Sequence, residues 1–253
     1  MTKNHPDETQ ADQRKAEWQV RTELAAAYRL VALFGWDDLV FTHLSARVPG
    51  PDHHFLINPY GLLFHEITAS SLVKVDQNGE VVEAGGLRRV NPAGFTIHSA
   101  VHTGREDAGA VMHLHAADGV AVSAHRDGLL PLSQTAMLCL EHLSYHEYEG
   151  VALNLDERER LIRDLSNKSM MMLRNHGILT VGHDVPEAFT YLYFLMKACE
   201  IQVKAQSCGP THMPTRQAIE TTADQSGSLG MAAKLVWPAL LRLLDSKSSG
   251  YNV

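Results

Sequence analysis

Two histidines close an apolar run in "AVMHLHAAD", residues 110–118. Side chains alternate between the faces of a β-strand, so His113 and His115 project on one side with their imidazoles abreast. That arrangement suits two ligands of a divalent metal, and equally two hydrogen-bonded histidines at a strand end. A third candidate is His176 in "RNHGIL". It stands at a sharp turn between two apolar runs, where Gly177 lets the backbone bend closely and aim the ring. Three neutral imidazoles with a fourth position open are the pattern of a catalytic zinc site rather than a closed structural one.

A rival pair exists in "HSAVH", where His98 and His102 are four residues apart and share one face of an expected helix. The glutamate of the HExxH metalloprotease motif is missing there, so an interface or a supporting helix face is the competing reading. Other catalytic schemes find no footing: there is no GxSxG elbow, P-loop or GxGxxG. Cys139 in "AMLCLEH" reads as packing rather than as an activated nucleophile.

The elements that must position these residues follow from patterning. Residues 1–14 are expected to be a disordered lead-in, residues 15–208 one domain, and residues 209–253 a linker and a C-terminal helix. Trp18, Leu24, Tyr28 and Val31 recur near helical spacing, and Gly35 is a stop signal. Strand-like runs flank the Pro-Gly-Pro turn in "DDLVFTHLSARVPGPDHHFLINPYG", and "EVVEAGGLRRV" reads as a short hairpin. Asn91 and Pro92 mark the start of a helix that ends near Gly104. "AGAVMHLHA" is then a buried strand, "DGVAVSAHR" a short helix, and "SMMMLRNHGILTVG" two strands around a tight turn. A long helix starts near Pro186, and a Gly/Pro/Thr/Ser-rich stretch at 209–229 reads as an exposed connection. The apolar C-terminal helix is expected to dock on the domain or on a neighbouring subunit. Strands and helices alternate irregularly without a 20–50-residue repeat, which favours one sheet covered by helices on both faces.

Composition narrows the function classes. The 253-residue chain is 45% hydrophobic and 20% charged, as in ordinary globular proteins. A formal charge of −7, without a Lys/Arg block, argues against a nucleic-acid partner. No run approaches the ~20 apolar residues of a membrane span, and the polar N-terminus lacks a signal-peptide core. Three scattered cysteines, Cys139, Cys199 and Cys208, suit reduced thiols. The expectation is a cytoplasmic protein.

In this order, "THLSAR", "FLINPYG", "ITASSLVKVDQNGEVVE", "HSAVHTGREDAGAVMHLH" and "RNHGILTVG" resemble the class II aldolase/adducin family, in particular an adducin-head-like bacterial branch. The likeness runs from about Ala16 to Gln206. It implies a three-layer α/β/α sandwich with a largely antiparallel central sheet, and a homotetramer whose active sites lie near subunit boundaries. It also implies that His113, His115 and His176 are the metal ligands. Zinc follows from the resemblance alone, since imidazoles also suit iron, nickel and copper. In the family's enzymes the metal is a Lewis acid that stabilises an enediolate when a C–C bond breaks or a carboxylate departs.

Departures from the pattern are as informative. Where sugar-phosphate aldolases carry Ser-Ser-Glu, this chain has Pro92, Ala93 and Gly94, so the acid/base Glu is a glycine and two phosphate-binding serines are gone. Their Gly-Asn-x-Ser becomes Thr42, His43, Leu44, Ser45, and their Thr-Gly phosphate turn becomes Tyr60-Gly61. A catalytic tyrosine from the neighbouring subunit aligns near Thr135, beside Gln134. Gly61 and Gln134 are therefore expected at the substrate, and His98, His43, Tyr60 and Glu66 are the candidates for proton transfer. Arg174, Asn175, Tyr148 and Glu149 are further neighbours of the expected site. The expected activity is cleavage of a C–C bond, by retro-aldol reaction or decarboxylation, in an unphosphorylated hydroxy- or oxo-acid through a metal-stabilised enolate. The alternatives are a non-catalytic adducin-head-like assembly or binding module, and a sugar-phosphate aldolase or epimerase.

Overall fold

The computed structural model describes residues 6–82, 89–152 and 154–253. Its centre is a seven-stranded sheet built from β1 (His43–Arg47), β2 (Phe55–Ile57), β3 (Val73–Val75), β4 (Ala110–Leu114), β5 (Leu143–His146), β6 (Met170–Leu173) and β7 (Gly177–Gly182). The spatial order is β3-β2-β1-β4-β7-β6-β5. Every neighbouring pair is antiparallel except β5 with β6. The expected sandwich with a largely antiparallel sheet is the observed architecture.

The central strands are apolar throughout because both of their faces are covered. Strand alternation divides them cleanly. Met170 and Met172 of β6, Met112 of β4 and Leu44 of β1 join the larger core, whereas Met171, Val111, Leu179 and Val181 join a smaller one. Helices α1 (Pro6–Leu33), α3 (Ala117–Ala124), α4 (Gln134–Leu140), α6 (Val185–Ser207) and α8 (Ala233–Lys247) contribute to the larger core; α2 (Pro92–Gly104) and α5 (Glu157–Leu165) pack over the smaller. His43, Ser45 and His113 occupy the smaller core's face of the sheet, interrupting its apolar surface.

Helix α1 is rich in Ala, Leu, Glu, Gln and Arg, all good helix formers, and it buries Leu24, Tyr28 and Val31 completely. Gly35, at φ +69°, ends it as expected. The helix begins at Pro6, however, so the expected lead-in through residue 14 is helical from that point. Its polar stretch "ETQADQRKAE" contains neither Gly nor an internal Pro, and charge alone does not break a helix. The 209–229 stretch likewise contains helix α7 (Arg216–Gln225), which Thr215 caps by accepting from the Ala218 N–H. That helix buries no residue, which is why its sequence lacks an apolar stripe. The hairpin expected over 80–90 falls mainly on residues outside those described; its start pairs as a single bridge, Val75 with Val81.

The C-terminal helix docks on its own chain. Trp237 packs on Phe189 at 5.8 Å, Leu244 is fully buried, and the last residues hydrogen-bond Ala69 and Ser70. Among the described residues no single helix is long and apolar enough to cross a membrane. All three cysteines are unpaired.

Between β1 and α2 lies a sealed polar cluster. Ser45 Oγ is 2.6 Å from His98 Nδ1 and 2.8 Å from His102 Nε2, and His102 stacks on Phe55. Burial, reinforced by nearby Arg47, pushes the His102 imidazole down to about 3. Unfolded, the same ring takes up a proton near pH 6.5. The unfolded chain thus binds the extra proton, and stability falls as pH drops from about 6.5 toward 3, by about 1.4 kcal/mol per pH unit for each such group. We expect a lower urea midpoint at pH 5 than at pH 7. His102→Gln should reduce that pH slope by roughly one proton's worth; an unchanged slope would rule out His102 as a contributor.

Candidate metal centre

His113 lies near the end of β4 and His115 one residue beyond it. The β4–β7 ladder fixes the first ring, because His113 Nδ1 donates to the Ile178 carbonyl oxygen at 2.9 Å. The second is fixed by a carboxylate: His115 Nδ1 lies 3.1 Å from Asp38 Oδ2. Both rings therefore carry their proton on Nδ1 and turn an Nε2 lone pair inward. The turn from β6 to β7 brings the third. Asn175 takes the left-handed conformation, φ +57°, and the His176 N–H bonds back to the Leu173 carbonyl. Gly177 serves by smallness rather than by dihedral freedom, since a Cβ there would stand 2.3 Å from Leu114 O.

The three Nε2 atoms converge. His115 Nε2 is 3.1 Å from His113 Nε2 and 2.9 Å from His176 Nε2, and ligand nitrogens of all three lie within 4.8 Å of one another. A tetrahedral ion with bonds of about 2.0–2.1 Å would hold its ligand nitrogens about 3.3 Å apart, so the donor set fits one. Burial and the neighbouring rings press His113 well below the ordinary histidine value, and burial and His115 bring His176 to about 4. Both are neutral at pH 7, the state in which imidazole ligates.

These rings form the floor of an open cavity of about 460 Å³. Its walls include Phe41, Tyr60, Ile97, Tyr148 and Val151, with Thr42, His43 and Asn91 as polar members. Thr42 sits at φ +65°, a strained conformation for a β-branched residue, immediately before His43.

The structure brings part of this constellation together. His43 and Tyr60 line the cavity with the three histidines, and so does Tyr148, whose ring is 6.3 Å from that of His176. His98 does not: it is completely buried beneath the cavity wall, held by Ser45, because a residue one turn along α2 from Gly94 points into the sheet. Glu66 turns back to accept from the Leu63 N–H at 2.7 Å and lies outside the cavity. Gly61 takes a left-handed turn, φ +106°, and is not among the lining residues. Gln134 opens α4, exposed and outside the cavity. Arg174 is engaged elsewhere, stacked on Tyr145 and donating to the His125 carbonyl, and Glu149 pairs with Arg160. Two residues escaped the sequence reading. Asp38 had no periodic or motif signal, and Asn58, buried and bonded to His43 Nδ1 at 2.8 Å, sits inside "NPYG", where the turn signal explained it away.

A family described as the class II aldolase and adducin N-terminal domain matches residues 22–203. An aldolase II superfamily protein from Pseudomonas syringae is 51% identical and superposes with a TM-score of 0.91, over 94% of this chain and 96% of that one. An L-fuculose 1-phosphate aldolase from Glaciozyma antarctica PI12 is 29% identical, with a TM-score of 0.81 over 93% of each chain. Alpha-adducin of Rattus norvegicus is 46% identical over 203 residues, 79% of this chain but 28% of adducin.

The carboxylate behind His115 bears on the metal affinity of that ring. Asp38→Asn weakens both the orientation and the basicity of that ring, so divalent-metal affinity should fall about 10–100-fold with the fold intact. Competition against a chromogenic chelator, alongside circular dichroism, measures both. Unaltered affinity would mean that Asp38 merely neighbours the centre.

Proposed function

Because the chain belongs to the class II aldolase and adducin family, we propose that it is a metal-dependent lyase that cleaves a C–C bond in an unphosphorylated hydroxy- or oxo-acid. The observation that carries this reading is the convergence of three Nε2 atoms on the floor of a cavity, two of them pre-oriented through Nδ1. A divalent ion, zinc by family resemblance, would supply Lewis-acid stabilisation of negative charge on a substrate oxygen, an effect worth several kcal/mol. His113, His115 and His176 would hold it, with Asp38 and the Ile178 carbonyl keeping two of the rings in the ligating tautomer.

The cavity's other walls speak to the substrate. Among the described residues that line it there is no Lys or Arg, and its only carboxylate, Asp38, is engaged with His115. A phosphate dianion would find no charge-assisted donor there. Phe41, Ile97 and Val151 offer apolar surface, while Thr42, Tyr60, Tyr148 and Asn91 can hydrogen-bond hydroxyl or carbonyl oxygens. In either cleavage the electron pair of the broken C–C bond passes into the enolate of the product, and a proton then returns to carbon. The enzyme is proposed to work in the cytoplasm as a homotetramer, with a neighbouring subunit closing the open cavity.

The 46% identity to alpha-adducin, together with glycine in place of the family's acid/base Glu, favours a second reading: a non-catalytic assembly module. The two separate experimentally. The first predicts about one divalent ion per chain in protein purified without chelator, lost in His113→Ala. It also predicts release of a 2-oxo acid or CO2 from a panel of unphosphorylated hydroxy- and oxo-acids. Protein that neither carries nor takes up metal would overturn the lyase. Metal without turnover of any panel member, with assembly unimpaired by His113→Ala, would support the module.

A further inference from the structure

The glycine that replaces the family's acid/base residue is not an empty position. A Cβ on Gly94 would lie 1.9 Å from His43 Cδ2 and 2.4 Å from His43 Nε2, both far inside van der Waals contact. The His43 imidazole therefore fills the space that any side chain at position 94 would enter. The strand register places His43 directly opposite His113, and the two point to the same side of the sheet. Facing residues of an antiparallel pair have Cβ atoms about 5 Å apart, so His43 lies beside the metal ligands without being one.

The ring is fixed from behind. Asn58 Oδ1 accepts from His43 Nδ1 at 2.8 Å, and Asn58 is in turn 2.8 Å from the Tyr28 hydroxyl, which itself accepts from the Leu44 N–H. With its proton on Nδ1, the ring leaves the Nε2 lone pair unused, and the residue is one of those that line the cavity. The Nε2 atom is enclosed and makes no hydrogen bond to the protein, although the residue is only 2% exposed. A buried, unpartnered nitrogen is costly to keep and calls for a partner that the protein itself does not provide. No other proton-transfer candidate from the sequence combines these features: His98 also has an unpartnered Nε2 but does not line the cavity, Glu66 is outside it, and Tyr60 stands 38% exposed.

We propose that His43, seated in the volume that Gly94 leaves free, is the proton-transfer residue of this centre, with Asn58 as its positioning residue. The assignment rests on the lyase reading above. In the proton-abstraction direction, a C–H bond next to the substrate's carbonyl breaks. Its proton goes to His43 Nε2, and its electron pair forms the enolate, whose charge a divalent ion held by the three histidines would offset. In the cleavage direction Nε2 takes the proton of the β-hydroxyl as the C–C bond breaks, then returns it to the enolate carbon. No oxidant or further reactant is needed.

Pyruvate, the smallest unphosphorylated 2-oxo acid with exchangeable protons, is a suitable probe. Metal-loaded wild-type protein should exchange the pyruvate methyl protons with deuterium oxide. His43→Gln should lower that rate at least about 100-fold, the lower range of general acid–base contributions, while metal content and pyruvate affinity hold. Asn58→Ala should lower the rate with KM unchanged, through loss of ring orientation. Exchange by His43→Gln within threefold of wild type would overturn the assignment.

Two readouts do not depend on activity. Gly94→Ala should lower the melting temperature of the wild type but not of His43→Gly, since the clash exists only while the imidazole is present. Equal effects in both backgrounds would overturn the shared-volume argument. A crystal structure of the metal-loaded protein with pyruvate should place His43 Nε2 within about 3.2 Å of the reacting carbon or a bridging water; a ring turned away would overturn the assignment. Wild-type protein that holds pyruvate in that pose yet exchanges no protons would also reject His43 as the base. Protein that binds no metal would instead remove the lyase reading itself.

Discussion

Two imidazole lone pairs facing each other across 3.1 Å repel unless positive charge is shared between them, and the fold keeps His113 and His115 from relaxing apart. The Ile178 carbonyl holds one ring and Asp38 holds the other. Both anchors come from elements that are themselves locked: Ile178 belongs to β7, at the centre of the sheet, and Asp38 sits in the tight turn that bridges to Phe41. The third ring arrives because Gly177 lets β7 press against the Leu114 carbonyl. The whole site thus depends on antiparallel register across β1, β4 and β7. A slip of one residue in β4 would turn His113 into the larger core and bring Met112 to the cavity side.

That register explains how much of the molecule was legible from its residues. Alternation in "AVMHLHA" placed both histidines on one face without tertiary knowledge, because a period of two is local physics. The turn before Gly177 was visible as a turn, although the reason for glycine was a long-range approach to Leu114 O that no local pattern carries. The same limit hid Asp38, whose partner is 77 residues away. It also misdirected attention to His98. Helical spacing correctly put His98 and His102 on one face of α2, but the face meets Ser45 inside the sheet rather than the cavity. The start of α1 and helix α7 were missed for a simpler reason: both are polar helices on the surface, formed by propensity and capping rather than by an apolar stripe.

The polar column on the smaller core's side of the sheet has a thermodynamic consequence. His43, Ser45, His98, His102 and His113 replace hydrocarbon that would otherwise join Ile97, Val111 and Leu179. Each must find a hydrogen-bond partner or remain unsatisfied, and the cluster does both. Ser45, His102 and Asn58 are bonded, while His43 Nε2 and His98 Nε2 are not. Stability on this face is exchanged for a set of imidazoles held neutral beside the cavity. The larger core, with Tyr28, Phe189 and the docked C-terminal helix on the opposite face, supplies the compensating burial.

Two of the departures from the family's sugar-phosphate pattern, at Thr42–Ser45 and at Pro92–Gly94, are tied together in the structure. An imidazole at 43 and a side chain at 94 compete for one volume, so a change at either position alone meets a clash or leaves a void. By family resemblance the same stretches would carry the phosphate-binding asparagine and serines. The differences at these two stretches therefore form one steric rearrangement of the cavity wall, separate from β4 and the turn before β7 that carry the three histidines. Three histidines can accordingly stay in ligating geometry while the groups that would choose the substrate change around them. Residues 43 and 94 thus form a single steric unit beside the three histidines, and neither can be exchanged without the other.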